Sequence, residues 1–222
     1  MGSADANLFS RPPTAQEAVL VELRKEIASG ALRPGEQVLQ ETIADRLGVS
    51  RVPLREALKF LEGEGQVVYH PHRGYFVAEL SVADLVEVYR IRDLLEAEAV
   101  QVGVGRATDE QKEAIRLHRL ACEAAAERGD LVDMSAANRA FHFAVYETSG
   151  MPRLVRMIRL CWDATDVYRS VYYASQSHRE AAVREHRAIA RAFAAEDAAT
   201  TVRLLAKHRE HAVAAVTDAI TS

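Results

Sequence analysis

The stretch Gln40–Leu61, which reads QETIADRLGVSRVPLREALKFL, constrains the fold more than any other part of the chain. Ile43 and Leu47 place apolar side chains one turn apart on a short helix. Gly48 can adopt the left-handed conformation that ends this helix, and Ser50 can cap a second one. The stretch therefore predicts two short helices that meet at a tight turn.

The second helix combines a core-facing stripe with a basic flank. The stripe has the spacing i, i+3, i+4, i+7 and consists of Leu54, Ala57, Leu58 and Leu61. Arg51 and Arg55 lie on the flank, so the helix can pack by one face and present its N-terminal half to a groove of DNA. An ordinary antiparallel helix pair with solvated arginines explains the same pattern, and this stretch alone does not separate the two interpretations.

Two strand-like runs follow the helix pair directly. Val67–Tyr69 and Tyr75–Val77 flank His70–Gly74, which is rich in turn-forming residues. A further helix is predicted over Ala15–Ser29, ahead of the pair. Residues 15–78 are therefore predicted to form a winged helix-turn-helix of three helices plus a two-stranded wing.

These motifs resemble the DNA-binding domain of GntR-type bacterial transcription regulators. The runs that carry the resemblance are LRPGEQV, GVSRVPLREAL, LEGEG and PHRGYFV. The resemblance implies a homodimer that binds an inverted-repeat operator in double-stranded DNA, with recognition-helix arginines reading bases and the wing glycine approaching the backbone. Carried over position by position, the DNA-binding residues are Ser50, Arg51, Val52, Arg55, Arg73 and Gly74.

Charge and composition limit the class of protein. The net charge of −4 argues against bulk nucleic-acid binding, so the contact with DNA must be local and salt-sensitive. No stretch reaches the ~20 apolar residues of a membrane span, and Met1–Ser10 lacks a signal-peptide pattern. Cys122 and Cys161 lack metal-type spacing, which favours a reducing compartment. A cytoplasmic protein with no membrane partner is expected.

The rest of the chain has helical patterns only. The predicted helices span residues 81–104, 108–128, 130–148, 152–173, 178–195 and 198–219, with capping boxes at Thr108–Gln111 and Ser177–Glu180. The predicted organisation is a flexible N-terminal segment (1–14), the winged domain (15–78) and an all-α effector-binding and dimerisation domain (79–222). The fold class is thus mainly α, with a winged helix-turn-helix followed by an all-α bundle of six or seven helices.

The C-terminal helices are similar to the FCD effector domain of the FadR-like subfamily. The similarity rests on YRIRDLLEAEA, NRAFH, EHRAIARAF and a closing KH. It implies a bundle that dimerises, binds a small carboxylic acid and often holds a divalent metal. The subfamily's metal ligands map onto Asn138, His142, His186 and His208. Its usual first ligand is Asp, so Asn138 removes a negative charge and should weaken metal binding.

Helical periodicity also places the three histidines inward. Each of them shares a helix face with apolar residues. Three imidazoles and the Asn138 amide oxygen suit a divalent ion such as zinc, with open positions for water or an anion. Hydrogen-bonded core histidines are the alternative interpretation.

Arg92 and Glu96 lie one turn apart in the middle of the apolar face of helix 81–104. Buried charges are costly unless they are paired or meet a ligand. In the functional interpretation Arg92 forks the carboxylate of an effector and Glu96 orients the arginine. The alternative is a self-contained Arg92–Glu96 ion pair.

These patterns, together with the resemblance to GntR-type regulators with an FCD domain, imply a transcription regulator, not an enzyme. Its operator affinity would be controlled by a small carboxylic or sugar acid bound near a divalent metal ion, with zinc expected. One alternative is a metal sensor in which the ion is the effector, and another is a C-terminal domain that only dimerises. A helical metal-dependent hydrolase is disfavoured because Glu185, the one nearby carboxylate, is predicted to point off the His186 face.

Overall fold

The computed structural model describes residues 13–79 and 81–221, with the backbone alone at residues 167, 169 and 170. Most of the predicted flexible segment 1–14 lies outside the described residues. Pro13 and Thr14 are described, and Thr14 forms a capping box with Glu17 at the start of the first helix. The chain is mainly α, as predicted, and consists of an N-terminal winged unit followed by a helical bundle.

Over residues 13–79 the N-terminal unit contains three helices and two strands. They are α1 (Ala15–Ser29), α2 (Gln40–Leu47), α3 (Arg51–Gly63), β1 (Val67–His70) and β2 (Gly74–Val77). Gly48 ends α2 with a φ of 64°, in the left-handed region where glycine is unstrained. Ser50 is the N-cap residue of α3, but its side chain makes no capping hydrogen bond with the described residues.

The wing is an antiparallel hairpin in which Val67 pairs with Val77 and His70 pairs with Gly74. Each strand is one residue longer than the apolar run that predicted it, since His70 and Gly74 continue the ladder. A φ of 88° at Gly74 closes the three-residue turn. Backbone hydrogen bonds from β2 to the segment around Val38 hold the wing against the helices.

Over residues 81–221 the bundle contains seven helices, within the predicted range of six or seven. They are α4 (Val82–Gly103), α5 (Asp109–Arg128), α6 (Leu131–Glu147), α7 (Pro152–Ala164), α8 (Asp166–Ala174), α9 (Gln176–Ala194) and α10 (Ala198–Thr221), with a short 3₁₀ turn over Val104–Arg106. The Thr108 capping box is present, but the one expected at Ser177 is not. Ser177 lies inside α9, which begins one residue earlier, and its hydroxyl bonds to that of Ser175.

The predicted helix 152–173 is wrong as a single element, because it breaks at Thr165. This residue has a φ of −102° and a ψ of 7°, outside the helical region. Its hydroxyl donates to the carbonyl of Trp162 at 3.0 Å, so the side chain competes with the helical backbone. The break creates α8 as a separate short helix.

The two units share an interface in which α1 packs against α6 and α8 of the bundle. Ion pairs cross it. Arg24 of α1 pairs with Glu64 of the winged unit and lies 3.9 Å from the buried carboxylate of Asp163. Arg139 of α6 donates to the same carboxylate at 2.5 Å. The winged unit therefore contacts the bundle at α8 and at the C-terminal end of α7. Among the described residues, no helix is long and apolar enough to cross a membrane.

Candidate functional site

The face of α3 opposite its buried stripe is solvent-exposed. Ser50, Arg51, Val52 and Arg55 all lie on the surface. Arg51 forms an exposed ion pair with Glu41 of α2, which contributes little energy and can be exchanged for a phosphate or a base. Both arginines are thus held off the core and are accessible to DNA.

The wing also presents its predicted residues at the surface. Arg73 is exposed, and its guanidinium lies 4.9 Å from the centre of the Phe76 ring. The carbonyl of Arg73 accepts a hydrogen bond from Gln37 at 2.6 Å. Gly74 follows in the left-handed conformation, where a side chain would be strained. The six residues predicted to contact DNA are therefore placed on the recognition helix and the wing tip.

Three histidines converge from three helices in the middle of the bundle. His142 lies on α6, His186 on α9 and His208 on α10, and all three are buried. Each offers one ring nitrogen, and these three atoms lie within 4.8 Å of one another. The cluster is therefore compact enough for one ion to contact all three rings.

Two of the imidazoles, those of His142 and His186, are held in the neutral form, which is the form that can bind a metal. Burial, followed by the neighbouring histidines, lowers the pKa of His142 well below its ordinary value, and burial does the same for His186. Both rings are therefore neutral at pH 7 and keep a lone pair. His208 directs Nδ1 to Glu185 Oε2 at 2.6 Å, which leaves Nε2 free to face the cluster.

Several polar atoms in the cluster are buried without a hydrogen-bond partner among the described residues. They are Asn138 Oδ1, His142 Nε2 and both ring nitrogens of His186. A buried unsatisfied donor or acceptor costs about 1–3 kcal/mol. The interpretation as hydrogen-bonded core histidines therefore does not fit His186. A divalent ion would satisfy these atoms, so the residues present fit a metal.

Its sequence position predicted that Glu185 points away from the cluster. This prediction is wrong, because the side chain contacts a histidine of the cluster. Its carboxylate contacts His208 at 2.6 Å and His211 at 2.5 Å. These hydrogen bonds keep its pKa low although burial alone would raise it. Glu185 lies behind the imidazole of His208, where a carboxylate fixes the tautomer of a metal ligand.

The Arg92–Glu96 pair exists but is not self-contained. Arg92 Nε donates to Glu96 Oε1 at 2.8 Å, and Arg209 Nη1 donates to Glu96 Oε2 at 2.5 Å. Burial would raise the pKa of Glu96, but the two arginines outweigh it and lower that pKa to about 2. Arg209 and its second partner Asp93 were missed at the sequence level, although Arg209 lies one turn after the core residue Leu205.

Two aromatic residues link this ion cluster to the histidines. The indole Nε1 of Trp162 donates to Glu96 at 2.7 Å. The hydroxyl of Tyr146 donates to Glu96 at 2.6 Å and lies 3.3 Å from His142 Nδ1. The His142 ring can therefore donate from Nδ1 to Tyr146, which leaves its unpartnered Nε2 available to a metal ion.

A cavity of about 30 Å³ is lined by residues of both clusters. Its lining residues include Tyr89, Arg92, Asn138, His142, Trp162, Tyr168, Tyr172, Tyr173, His208 and Arg209. The volume has room for an ion or a water molecule but not for an organic acid. Three of the four lining tyrosines, Tyr168, Tyr172 and Tyr173, belong to α8. The wall that would have to move for a larger ligand is therefore the helix created by the break at Thr165.

Comparison with known proteins identifies the family. Residues 15–77 match the bacterial regulatory proteins of the gntR family, and residues 87–211 match the FCD domain. The chain belongs to the GntR family and carries an FCD domain. It is accordingly a DNA-binding transcription regulator and not an enzyme, which removes the hydrolase alternative.

Individual GntR proteins are similar over most of this chain. The HTH-type transcriptional regulator McbR of Escherichia coli (strain K12) is 31% identical over 165 residues, which cover 74% of each protein. The transcriptional repressor GlaR of the same strain is 28% identical over 196 residues, 84% of this chain and 88% of GlaR. The structure of E. coli McbR/YncC superposes with a TM-score of 0.85 at 26% identity, covering 94% of this chain and all of that one.

The FCD match contains all the polar and charged residues that line the cavity. It begins before Tyr89 and Arg92 and ends after His208 and Arg209. The gntR match ends at the last residue of β2, so it contains the recognition helix and the wing. DNA contact and the buried polar site are thus carried by separate parts of this GntR regulator.

Proposed function

We propose that this GntR regulator acts in the cytoplasm as a homodimer whose affinity for an inverted-repeat operator is controlled by a small carboxylic or sugar acid. The acid binds beside a divalent ion, with zinc expected, in the cavity of the FCD domain. The observation that carries the proposal is the set of unpartnered nitrogens on His142 and His186, buried next to Arg92.

The residues that would hold the ion are Asn138, His142, His186 and His208. Three imidazoles and an amide oxygen form a donor set for zinc, and Glu185 orients His208 from behind. A bound ion would supply positive charge and open coordination positions for an anion.

Arg92 provides the second feature expected of an acid-binding site. Its guanidinium lies 4.5 Å from the centre of the Tyr89 ring and 4.3 Å from that of Trp162, so it is held between two aromatic faces. Its partner Glu96 keeps it oriented, and the arginine lines the cavity. An arginine fixed in this way can fork a carboxylate that enters from the metal side.

The wall of the cavity connects the ligand to the DNA-binding unit. The hydroxyl of Tyr168 in α8 bonds to the backbone of Ser81 at 3.1 Å and to Asp84 at 3.1 Å, at the junction between the wing and the bundle. The same helix packs against α1 of the winged unit. A ligand that displaces α8 therefore changes the support of the recognition helix, and its differential affinity for the two placements sets the response.

A second copy of the chain is the proposed partner of α4 and α7. These two helices pack on each other and expose large apolar side chains: Ile91 and Leu94 on α4, and Met157 and Leu160 on α7. Exposed glutamates on α4 and arginines on α7 complement each other when two copies are related by a two-fold axis. Such a dimer would present two recognition helices to the two halves of an inverted repeat.

The first test is elemental analysis of the purified protein, combined with thermal-shift screening of small carboxylic acids with and without a chelator. We expect a bound divalent ion and an acid whose stabilisation disappears on chelation. The double substitution His142→Ala plus His186→Ala should abolish the ion. Retention of a stoichiometric ion in that variant would show that these histidines are not the ligands.

A metal sensor is the second candidate, because the cavity of about 30 Å³ holds an ion more readily than an acid. It predicts that operator affinity, measured by fluorescence anisotropy on a selected operator, follows free zinc with no acid present. Dependence on an acid at constant zinc would exclude it.

A further inference from the structure

A carboxylate lies on the DNA-binding surface of the winged unit. Glu41 is in the first turn of α2 and forms an ion pair with Arg51, the first residue of α3. Both side chains are largely exposed, Glu41 at 74% and Arg51 at 64%. The pair therefore places a negative charge beside an arginine of the recognition helix, on a surface that has to approach the polyanion DNA.

The other arginines of this surface have no such partner. Arg55 and Arg73 form no ion pair with any part of the chain that the structure describes, and Arg73 lies over the ring of Phe76 instead. Arg51 is also at the positive end of α3, whose first turn contains no acidic residue. Glu41 is thus the nearby group that balances the charge of Arg51, and it comes from a different helix.

Exchange of Glu41 for a DNA phosphate is unfavourable, although the pair itself is weak. An exposed ion pair contributes little to stability, so breaking it costs little. When Arg51 turns to a phosphate, however, the carboxylate of Glu41 remains next to the polyanion and is repelled. The pair is also neutral as a unit, so its approach releases no counter-ions from the DNA. Arg51 therefore adds little to the affinity for a backbone of arbitrary sequence.

The base edges of the major groove offer the carboxylate a favourable contact. Guanine presents two acceptors to an arginine, and cytosine presents an N4 amino group that can donate to a glutamate. Two side chains that lie together can therefore read neighbouring bases, Arg51 a guanine and Glu41 a cytosine. The carboxylate is satisfied only where the DNA sequence supplies the amino group.

We propose that Glu41 is a specificity-determining residue of this GntR regulator. It prevents Arg51 from gaining affinity for DNA of arbitrary sequence, and it accepts a hydrogen bond from a cytosine of the operator. An element that weakens binding to the wrong partner more than to the right one raises specificity. This role depends on DNA binding by α3 and not on the ligand of the FCD domain.

Glu41→Gln tests the role of the charge, because it keeps the length of the side chain. Fluorescence anisotropy measures the affinity of the full-length protein for a duplex of random sequence and for an operator selected with the native chain, at several KCl concentrations. On the random duplex, the slope of log affinity against log salt should steepen by about 0.9 for each bound recognition helix, which is about an 8-fold gain at about 0.1 M salt. Affinity for the operator should not rise, so the ratio of the two affinities should fall by about the same factor.

Three further variants complete the experiment. Selection of sites from a random library with Glu41→Ala should return operators without the preference for cytosine beside the guanine that Arg51 reads. In an Arg51→Ala background, Glu41→Gln should produce little of the steeper salt dependence, since no arginine is freed for a phosphate. Glu210→Gln is the matched control, because Glu210 is an exposed residue of α10, outside the winged unit. It removes the same charge and should change neither affinity.

Each alternative result has a distinct meaning. An unchanged salt dependence in Glu41→Gln would overturn the inference, and so would equal steepening in the Arg51→Ala background, which would reduce Glu41 to a general charge. A retained preference for cytosine in Glu41→Ala would refute the base contact. If Glu41 only stabilises the start of α3, Glu41→Gln would lower the melting temperature and weaken binding to both duplexes alike, which would also overturn the inference.

Discussion

Replacement of Glu96 by glutamine should destabilise the FCD domain strongly. The carboxylate is fully buried and accepts four hydrogen bonds, from Arg92 at 2.8 Å, Trp162 at 2.7 Å, Tyr146 at 2.6 Å and Arg209 at 2.5 Å. Glutamine has the same shape but turns an NH₂ group toward two of these donors. Two arginines would also lose a buried counter-charge.

Two independent considerations set the magnitude. Removing one partner of a buried ion pair costs about 3–5 kcal/mol. A carboxylate whose pKa falls from 4.5 to about 2 on folding is stabilised by about 3 kcal/mol. Because the pKa of Glu96 is depressed in the fold, this stabilisation is present above pH 4.5 and is lost as the pH falls toward about 2. The difference between native and Glu96→Gln proteins should therefore shrink between about pH 5 and pH 2.

The free energy of unfolding by urea, followed by circular dichroism at pH 7 and at lower pH, measures both effects. Glu210→Gln is the matched control, since Glu210 lies in the same bundle on α10, is exposed and is not part of the proposed dimer interface. We expect a loss of about 3 kcal/mol or more for Glu96→Gln at pH 7 and almost none for Glu210→Gln. Equal stability of the two variants, or a difference that does not depend on pH, would refute the reasoning.

Three further predictions concern DNA, the metal and the dimer. Arg51→Ala and Arg55→Ala should each weaken operator binding by about 1–3 kcal/mol in anisotropy titrations, with Arg116→Ala of α5 as the control; unchanged affinity in both would contradict the recognition-helix assignment. Glu185→Gln should lower zinc affinity about 10–100-fold in chelator competition, and an unchanged affinity would show that it does not support His208. Leu94→Glu should yield monomers in analytical ultracentrifugation, whereas a dimer that persists would place the interface elsewhere.

The winged unit could be derived from the sequence because its signals are local. Gly48 had to adopt a positive φ for two helices to meet at a tight turn, and only glycine does so without strain. The stripe of α3 lies at a helical spacing, and the wing is a short hairpin around Gly74. Each of these features depends on residues a few positions apart, so a pattern in the chain is sufficient to predict it.

The sequence also predicted that three histidines point inward, because helical periodicity separates a core face from a solvent face. These are His142, His186 and His208. Their assignment as metal ligands rested on family resemblance and stays a prediction. Periodicity does not determine which side chains meet across the space between helices, so it missed the contact of Glu185 with His208.

The tertiary structure alone decided the architecture around the cavity lined by Arg92 and His142. The helix breaks at Thr165, where the sequence has no glycine or proline that would predict a break. The hydroxyl of Thr165 lies 3.4 Å from the guanidinium of Arg92, which is 73 residues away in the chain. Arg209 meets Glu96 across 113 residues. Helix faces are set by neighbours along the chain, whereas these partners are set by how whole helices pack, and the buried charges are stable only because that packing brings their counter-charges together.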